Sequence, residues 1–408
     1  MNTSKKIPFS PPYIDEEVER EVLDSLRSGW ITTGPKVAEL QDAVAQNVGV
    51  EEVLCVNSAT SGMMLALHWF GVGRGDEVIL PAYTYCATAL VVQHLGATPV
   101  LVDVGEDFNI SIKNIRKATT PKTKVILPVD IAGWPCDYDA IMSWVESKKV
   151  RSIFRSKGKA QENLGRPLVL ADAAHSFGAT YKNRPTGSLA DLSVFSFHAV
   201  KNLTTAEGGA ICINLPSPLD NHEIYKTLRL WSLNGQTKDA FTKSKAGGWR
   251  YDIVYPGFKV NMPDICAAIG LAQMKSYYSK LLPRRNEIYD QYSTHFKNFD
   301  WAITPTRKTA EREGCGHLYP LRIRNCTEQQ RDEIIQKISA QDVAVNVHFV
   351  PLPMLTVFKD RGYDIQEYPS AYSLYCNEIS LPIYPQLTDG QVEKVIDAVV
   401  SSVEKVLR

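Results

Sequence analysis

The chain lacks an excess of charge of either sign. Its 408 residues carry 45 Lys and Arg against 45 Asp and Glu, with no long run of one sign. A protein built to neutralise a nucleic-acid backbone needs a basic excess, so small molecules are the expected partners and nucleic acid is not. Long apolar runs are missing as well. No stretch approaches the roughly eighteen consecutive apolar residues of a membrane span. The start, Met1-Asn2-Thr3-Ser4-Lys5-Lys6-Ile7-Pro8, lacks the apolar stretch of a secretory signal. Paired cysteines are absent too. Cys55, Cys86, Cys136, Cys212, Cys266, Cys315, Cys326 and Cys376 are scattered without a C-x-x-C pair. They are expected to be reduced, mostly buried thiols of a cytoplasmic protein, with no disulfide framework and no zinc or other metal site.

What the chain does have is alternation. Strand-like apolar runs recur at Val53–Val56, Glu77–Leu80, Thr98–Asp103, Lys124–Pro128, Leu168–Asp172, Asp191–Phe197 and Gly209–Asn214, with helical patterns between most of the early ones. This order predicts an α/β fold, a mostly parallel sheet covered by helices. An amphipathic helical arm is expected over about 15–47, broken by Ser28-Gly29-Trp30-Ile31-Thr32-Thr33-Gly34-Pro35, where two Gly and a Pro enforce a loop. Beyond Asn261 the pattern predicts helix from Pro263 to about Lys280 and from Arg284 to Phe296. It then predicts a strand at His317–Ile323, a helix at Glu328–Ser339, a strand at Val343–Phe349 and a last helix at Asp389–Leu407. A large domain over 1–284 and a smaller α+β domain over 285–408 are therefore expected. Between Trp144 and Leu168 lie Lys148, Lys149, Arg151, Arg155, Lys157, Lys159 and Arg166. This poorly periodic basic stretch reads as a solvated loop, or as a contact for an anionic substrate or a neighbouring subunit.

Lys201 is the most informative residue, in the run Ser196-Phe197-His198-Ala199-Val200-Lys201-Asn202-Leu203-Thr204-Thr205-Ala206-Glu207-Gly208-Gly209. It follows an apolar strand and opens a turn, where a flexible amine could reach a cofactor aldehyde. Upstream, Leu168-Val169-Leu170-Ala171-Asp172-Ala173-Ala174-His175 delivers a carboxylate and then an imidazole at the end of a buried strand. Pyridoxal phosphate (PLP) chemistry needs both a Schiff-base lysine and a carboxylate that keeps the pyridine nitrogen protonated. Ser58-Ala59-Thr60-Ser61-Gly62 follows the first strand and opens a helix, a place where free N–H groups suit a phosphate. Taken alone it is an ordinary N-cap. Ser196 could add a hydroxyl to the same phosphate. In Pro81-Ala82-Tyr83-Thr84-Tyr85-Cys86-Ala87-Thr88, Tyr85 is favoured over Tyr83 as an aromatic able to stack on a pyridine ring. His175 could bond the cofactor's phenolic oxygen or Asp172.

Together these motifs, with Gly29-Trp30-Ile31-Thr32-Thr33-Gly34-Pro35, Pro256-Gly257-Phe258-Lys259-Val260-Asn261-Met262-Pro263 and Ile379-Ser380-Leu381-Pro382-Ile383-Tyr384-Pro385, resemble the DegT-type sugar-nucleotide aminotransferases from about residue 7 to 400. The resemblance implies PLP-dependent fold type I, with a doubly wound, mostly parallel seven-stranded sheet domain, a small C-terminal domain, and a homodimer with shared active sites. It implies Lys201 as the Schiff-base lysine, Asp172 as the partner of the pyridine nitrogen and His175 as the neighbour of the ring hydroxyl. Tyr85 matches the stacking aromatic, and Ala59, Thr60 and Ser196, beside Ser58 and Ser61, the phosphate site. Lys259 or Asn261 would reach across the dimer to the partner's cofactor phosphate. Thr33, Arg250, Tyr255 and His348 are the candidates for substrate contact.

By the same resemblance, glutamate would donate the amino group and a nucleotide-linked keto sugar would accept it. The keto group is expected at C4, on a UDP- or less readily a dTDP-linked 6-deoxy sugar, for surface polysaccharide. A 3-keto sugar aminotransferase, a PLP-dependent sugar dehydratase and a non-catalytic regulatory protein are the alternatives. Lys201 speaks against the dehydratase, which typically has histidine there. Asp130 and Asn234-Gly235, where the family often has histidine, and the long basic stretch depart from its pattern. All three are expected near the substrate entrance.

Overall fold

In the computed structural model, which describes residues 6–238 and 249–407, seven short apolar segments form one sheet. They are β1 (Glu52–Val56), β2 (Glu77–Pro81), β3 (Thr98–Val102), β4 (Thr123–Ile126), β5 (Leu168–Asp172), β6 (Leu192–Ser196) and β7 (Gly209–Ile213). Their spatial order is β1-β7-β6-β5-β4-β2-β3. All neighbours run parallel except β7, which is antiparallel to both β1 and β6. The strands read as continuous apolar runs because both faces are covered. Leu54, Val56 and Leu170 pack into one core, while Val53, Cys55 and Cys212 pack into another on the opposite face. All eight cysteines are free thiols, several of them serving as core residues.

Parallel order puts the ends of β1, β5 and β6 on one edge of the sheet. Gly209, the first residue of β7, pairs with both Val56 and Ser196. A Cβ at Gly209 would lie 2.7 Å from the amide nitrogen of Ala59 and from the carbonyl of Phe195. Glycine thus lets helix Ala59–Trp69 begin directly against the strand ends, and Ser58 caps it by accepting from Ser61 N. The interrupted arm is two helices, Glu16–Arg27 and Pro35–Val48.

A second sheet, with order β8-β9-β10, comprises β8 (Ala302–Ile303), β9 (Tyr319–Ile323) and β10 (Glu378–Leu381). Its core joins Tyr292 and Phe296 of helix Leu282–Phe296, Ile334 of helix Glu328–Ser339 and Val395 of helix Asp389–Leu407. Helix Asp264–Ser276 reaches Leu282–Phe296 through a π-helical turn, Tyr277–Leu281.

Two expectations are corrected. Residues 343–349 do not form a strand: Val343 bridges only Ile7 and Asn346 only Ser380. Side chains take the remaining donors, since Asn346 Oδ1 accepts Val347 N and Glu378 Oε2 accepts His348 N. The basic stretch is not a loop but two short helices, Lys148–Ile153 and Lys159–Leu164. Nor does it lie at the substrate entrance. Lys157 pairs with Asp76 just before β2, and Arg166 with Asp191 just before β6, at the amino edge of the sheet, opposite the end of Asp172 and Lys201.

Arg166 is buried and bonded in bidentate fashion to Asp191, at 2.7 and 2.8 Å. Removing one partner of such a pair strands a charge in the interior, at a cost of about 3–5 kcal/mol. Asp191→Ala should therefore lose about that much unfolding free energy in urea, and a loss below about 1 kcal/mol would show that the pair contributes little.

Candidate active site

At the carboxyl edge of the sheet lies a cavity of about 470 Å³, within the range of small-molecule sites. The chain supplies its polar floor from three strand ends: Ser58, Ala59 and Thr60 after β1, Asp172, Ala174 and His175 at β5, and Ser196 and Lys201 after β6.

Lys201 is placed by a wound turn. Its own amide donates to His198 O at 2.9 Å, and Thr205 N and Thr204 Oγ1 close back on Phe197 O at 2.8 and 3.1 Å. Burial lowers the Lys201 amine to about 8, although nearby Asp172 pulls the other way. Asp172 is buried, and desolvation raises its carboxyl pKa. Thr88 Oγ1 donates to Oδ2 at 2.8 Å and Ala174 N to Oδ1 at 3.2 Å, both favouring the carboxylate. His175 lies 4.3 Å, centroid to centroid, from His317 and stacks on Phe349 at 5.8 Å. Burial, Lys201 and His348 hold its imidazole neutral.

The residues fit PLP. The His175 Nδ1 is buried without a hydrogen-bond partner, as a site awaiting a polar group would leave it. Ala59 and Thr60 open helix Ala59–Trp69, whose first amides have no intrahelical acceptor, and so can bind phosphate. Gly208 lines the cavity where a Cβ would collide with Thr205 Oγ1 and Met262 Cε.

The chain matches the DegT/DnrJ/EryC1/StrS aminotransferase family over residues 12–155 and 159–400. It belongs to that family. As a member it is a PLP-dependent transaminase. It is similar to the Streptococcus pneumoniae protein Spr1654, provisionally named a sugar aminotransferase, with 45% identity and a TM-score of 0.94 over 98% of this chain and 100% of that one. The spore coat polysaccharide biosynthesis protein SpsC of Bacillus subtilis is 36% identical over 96% of each chain. The UDP-4-amino-4-deoxy-L-arabinose–oxoglutarate aminotransferase of Shewanella sediminis is 33% identical over 96% of this chain and 97% of its own.

Of the DegT-type residues singled out in the sequence, the cavity brings together Ser58, Ala59, Thr60, Tyr85, Asp172, His175, Ser196, Lys201 and His348. Tyr85 is 59% exposed at its rim, whereas Tyr83 is fully buried with its hydroxyl on His348 O at 2.7 Å. Ser61 is turned to Ser58, 2.9 Å between hydroxyls, and does not line the cavity.

Five others lie outside the cavity of their own chain. Lys259 Nζ donates to Asn261 Oδ1, and Asn261 Nδ2 to Thr33 Oγ1, each at 2.6 Å. Tyr255 stacks on Trp231 at 4.2 Å and meets His68 Nε2 at 2.6 Å. Arg250 is exposed over the Trp249 ring.

Asp130 is not at an entrance either. It is buried behind His175, accepting from Cys136 N, Tyr138 Oη and Ser176 Oγ at 2.7–2.9 Å. Asn234 is exposed at a turn outside the cavity. Thr88, His317 and Phe349 escaped the sequence reading. His317 opens a predicted strand and so carried a signal, whereas nothing local marks Thr88 as the donor to Asp172.

A neutral amine is the nucleophile toward an aldehyde, so capture of added PLP by cofactor-free protein should accelerate as pH rises through about 8. After borohydride reduction the mass adduct should map to Lys201. Lys201→Ala should show neither the adduct nor turnover above about one thousandth of normal. An adduct on another lysine would refute the assignment.

Proposed function

We propose that the enzyme moves an amino group from glutamate to the C4 keto carbon of a UDP-linked 6-deoxy sugar, making a 4-amino sugar for surface polysaccharide in the cytoplasm. The observation that supports the UDP carrier, the C4 position and the glutamate donor is the full-length likeness to an enzyme whose name states UDP-4-amino-4-deoxy-L-arabinose and oxoglutarate; the 6-deoxy sugar rests on the sequence resemblance alone. SpsC, named for spore coat polysaccharide, supports the pathway class. A 3-keto substrate is the second reading, and dTDP the second carrier.

When bound, PLP supplies an aldehyde that takes up the amino group and a ring that withdraws electrons from the carbon losing a proton. The protein's residues do the rest. Lys201 Nζ, in its unprotonated form, would be the base that takes up the proton of the donor's α-carbon and the acid that gives it back. Asp172, whose ionised form the Thr88 and Ala174 hydrogen bonds favour, would keep a proton on the ring nitrogen. The unpartnered His175 Nδ1 would meet the ring oxygen. The amides of Ala59 and Thr60 and the hydroxyl of Ser196 would hold the phosphate, and Tyr85 would cover the ring face.

The cavity has a shortage of cations. Among the described residues lining it, Lys201 is the one lysine and no arginine occurs, yet cofactor and nucleotide diphosphate together bring several negative charges. A second copy of the chain would supply Lys259 or Asn261 from the segment 257–262, with Arg250 and Tyr255 close behind for the nucleotide. The active unit in this reading is a homodimer with shared sites, each protomer comprising a large domain (1–284) and a small one (285–408).

Glutamate and a panel of UDP- and dTDP-linked 4-keto and 3-keto sugars, analysed by mass and NMR, test the substrate. The expected product is the UDP-linked 4-amine, and amination only at C3 would refute it. Mixing inactive Lys201→Ala with a weakened Lys259→Ala variant tests sharing. In an equal mixture about half of the dimers are hybrid and one of the two sites in each is intact, so the mixture should regain up to about a quarter of normal activity. No recovery after subunit exchange would place both residues in one protomer's site.

A further inference from the structure

A file of hydrogen bonds leaves the cavity through His348. β10 places Glu378 and Ser380 two residues apart on one face, both fully buried. Ser380 Oγ lies 2.5 Å from Glu378 Oε1 and 2.9 Å from His348 Nδ1. Glu378 Oε2 accepts the His348 amide at 3.0 Å, and Tyr83 Oη donates to the His348 carbonyl at 2.7 Å, so the residue is held from both sides. Phe9 stacks on the ring at 5.3 Å. Because Nδ1 is turned inward and the ring lines the cavity, Nε2 is the nitrogen left for a ligand.

A serine hydroxyl has one proton, so the file must point one way throughout. With Glu378 ionised, Ser380 donates to the carboxylate, His348 Nδ1–H donates to Ser380, and Nε2 is a bare acceptor. With Glu378 protonated, the carboxyl donates to Ser380, Ser380 donates to Nδ1, and Nε2 carries the hydrogen.

We propose that Glu378, Ser380 and His348 form a proton relay that switches the cavity-facing Nε2 between donor and acceptor. Glu378 and Ser380 are its positioning residues. For its substrate the relay rests on the keto-sugar reading. The sugar oxygen replaced by nitrogen leaves as water, and a proton delivered to it makes it a leaving group. When Nε2 gives that proton up, the Ser380 proton moves to Nδ1 and the Glu378 proton to Ser380, leaving a carboxylate. Three bonds to hydrogen break, three form, and nothing is oxidised or reduced.

The surroundings suit the switch. Burial raises the Glu378 carboxyl to about 8, opposed by Ser380, the His348 amide and Arg331. Burial and Lys201 lower His348 to about 4, so its ring stays neutral while the carboxyl titrates. Tyr83 faces the carboxyl, and His175, His317 and Lys201 face the imidazole. Below about pH 8, then, Nε2 is a donor, and above it an acceptor.

Nitrogen-15 NMR of histidine-labelled holoenzyme, with His348 assigned by its loss in His348→Gln, tests the relay without substrate. The proton should sit on Nε2 at about pH 6.5 and on Nδ1 at about pH 9.5. Glu378→Gln, whose amide can only donate to Ser380, should lock it on Nε2 at both. Ser380→Ala, which removes a single oxygen, should uncouple the ring from Glu378 and serves alone if the glutamine variant fails to fold. In turnover, kcat of Glu378→Gln relative to the unaltered enzyme should rise about tenfold or more between about pH 7 and 9.5. One tautomer at both pH values in the unaltered protein, or an unchanged switch in either variant, would overturn the relay. A switching tautomer without any sugar turnover would instead overturn the substrate reading alone.

Discussion

The site depends on one close approach, at Gly209. β7 runs antiparallel between β1 and β6, so its first residue lies level with the last residues of both, Val56 and Ser196. No side chain fits there, because Ala59 N and Phe195 O already stand 2.7 Å from where a Cβ would be. Gly62 repeats the condition one turn into the helix, where a Cβ would lie 2.8 Å from Val194. Helix Ala59–Trp69 can thus settle onto the sheet with its first amides beside Ser196 and Lys201. Moving it out by a methyl group would separate the phosphate-binding end from the amine that must reach the cofactor's aldehyde.

Burial then sets the charge of each group. Desolvation is the largest influence on Lys201, Asp172 and His175, and it favours the neutral form of each. The histidine stays neutral and adds no positive charge, while the lysine is brought down to about 8, where a share of free amine is available as nucleophile and base. The aspartate is opposed by Thr88, the Ala174 amide and Lys201, and these interactions allow a carboxylate to stand in the interior. Desolvation thus acts on the two bases with little opposition from hydrogen bonds, whereas at the carboxylate it is opposed by donors.

Features written along one strand or helix were legible in the sequence. β5 carries Asp172 at its end, β6 delivers Lys201 into a turn, and the apolar periods of helices Glu328–Ser339 and Asp389–Leu407 mark their whole length. Contacts made between distant segments were not legible. Thr88 reaches Asp172 across 84 positions, and the Glu378 carboxyl accepts the His348 amide, which a strand would have needed for its ladder. The basic stretch misled for a related reason. Its charges looked solvated or ligand-directed, but Arg166 is neutralised by Asp191, twenty-five residues on, and both are buried.

The second core bears directly on the chemistry. Glu378 and Ser380 belong to β10, whose neighbours Ile379 and Leu381 point into that core. Strand alternation therefore ties the cavity wall to packing on the opposite face: shifting β10 by one residue would turn Glu378 and Ser380 into the core and empty the file behind His348. Arg331, buried on helix Glu328–Ser339, bonds the carbonyls of Tyr375 and Glu378 at 2.7 and 3.3 Å and pins the start of β10 in register. The distance from Arg331 to any reacting atom is thus no measure of its influence, since it acts by fixing which face of one strand looks toward the cavity.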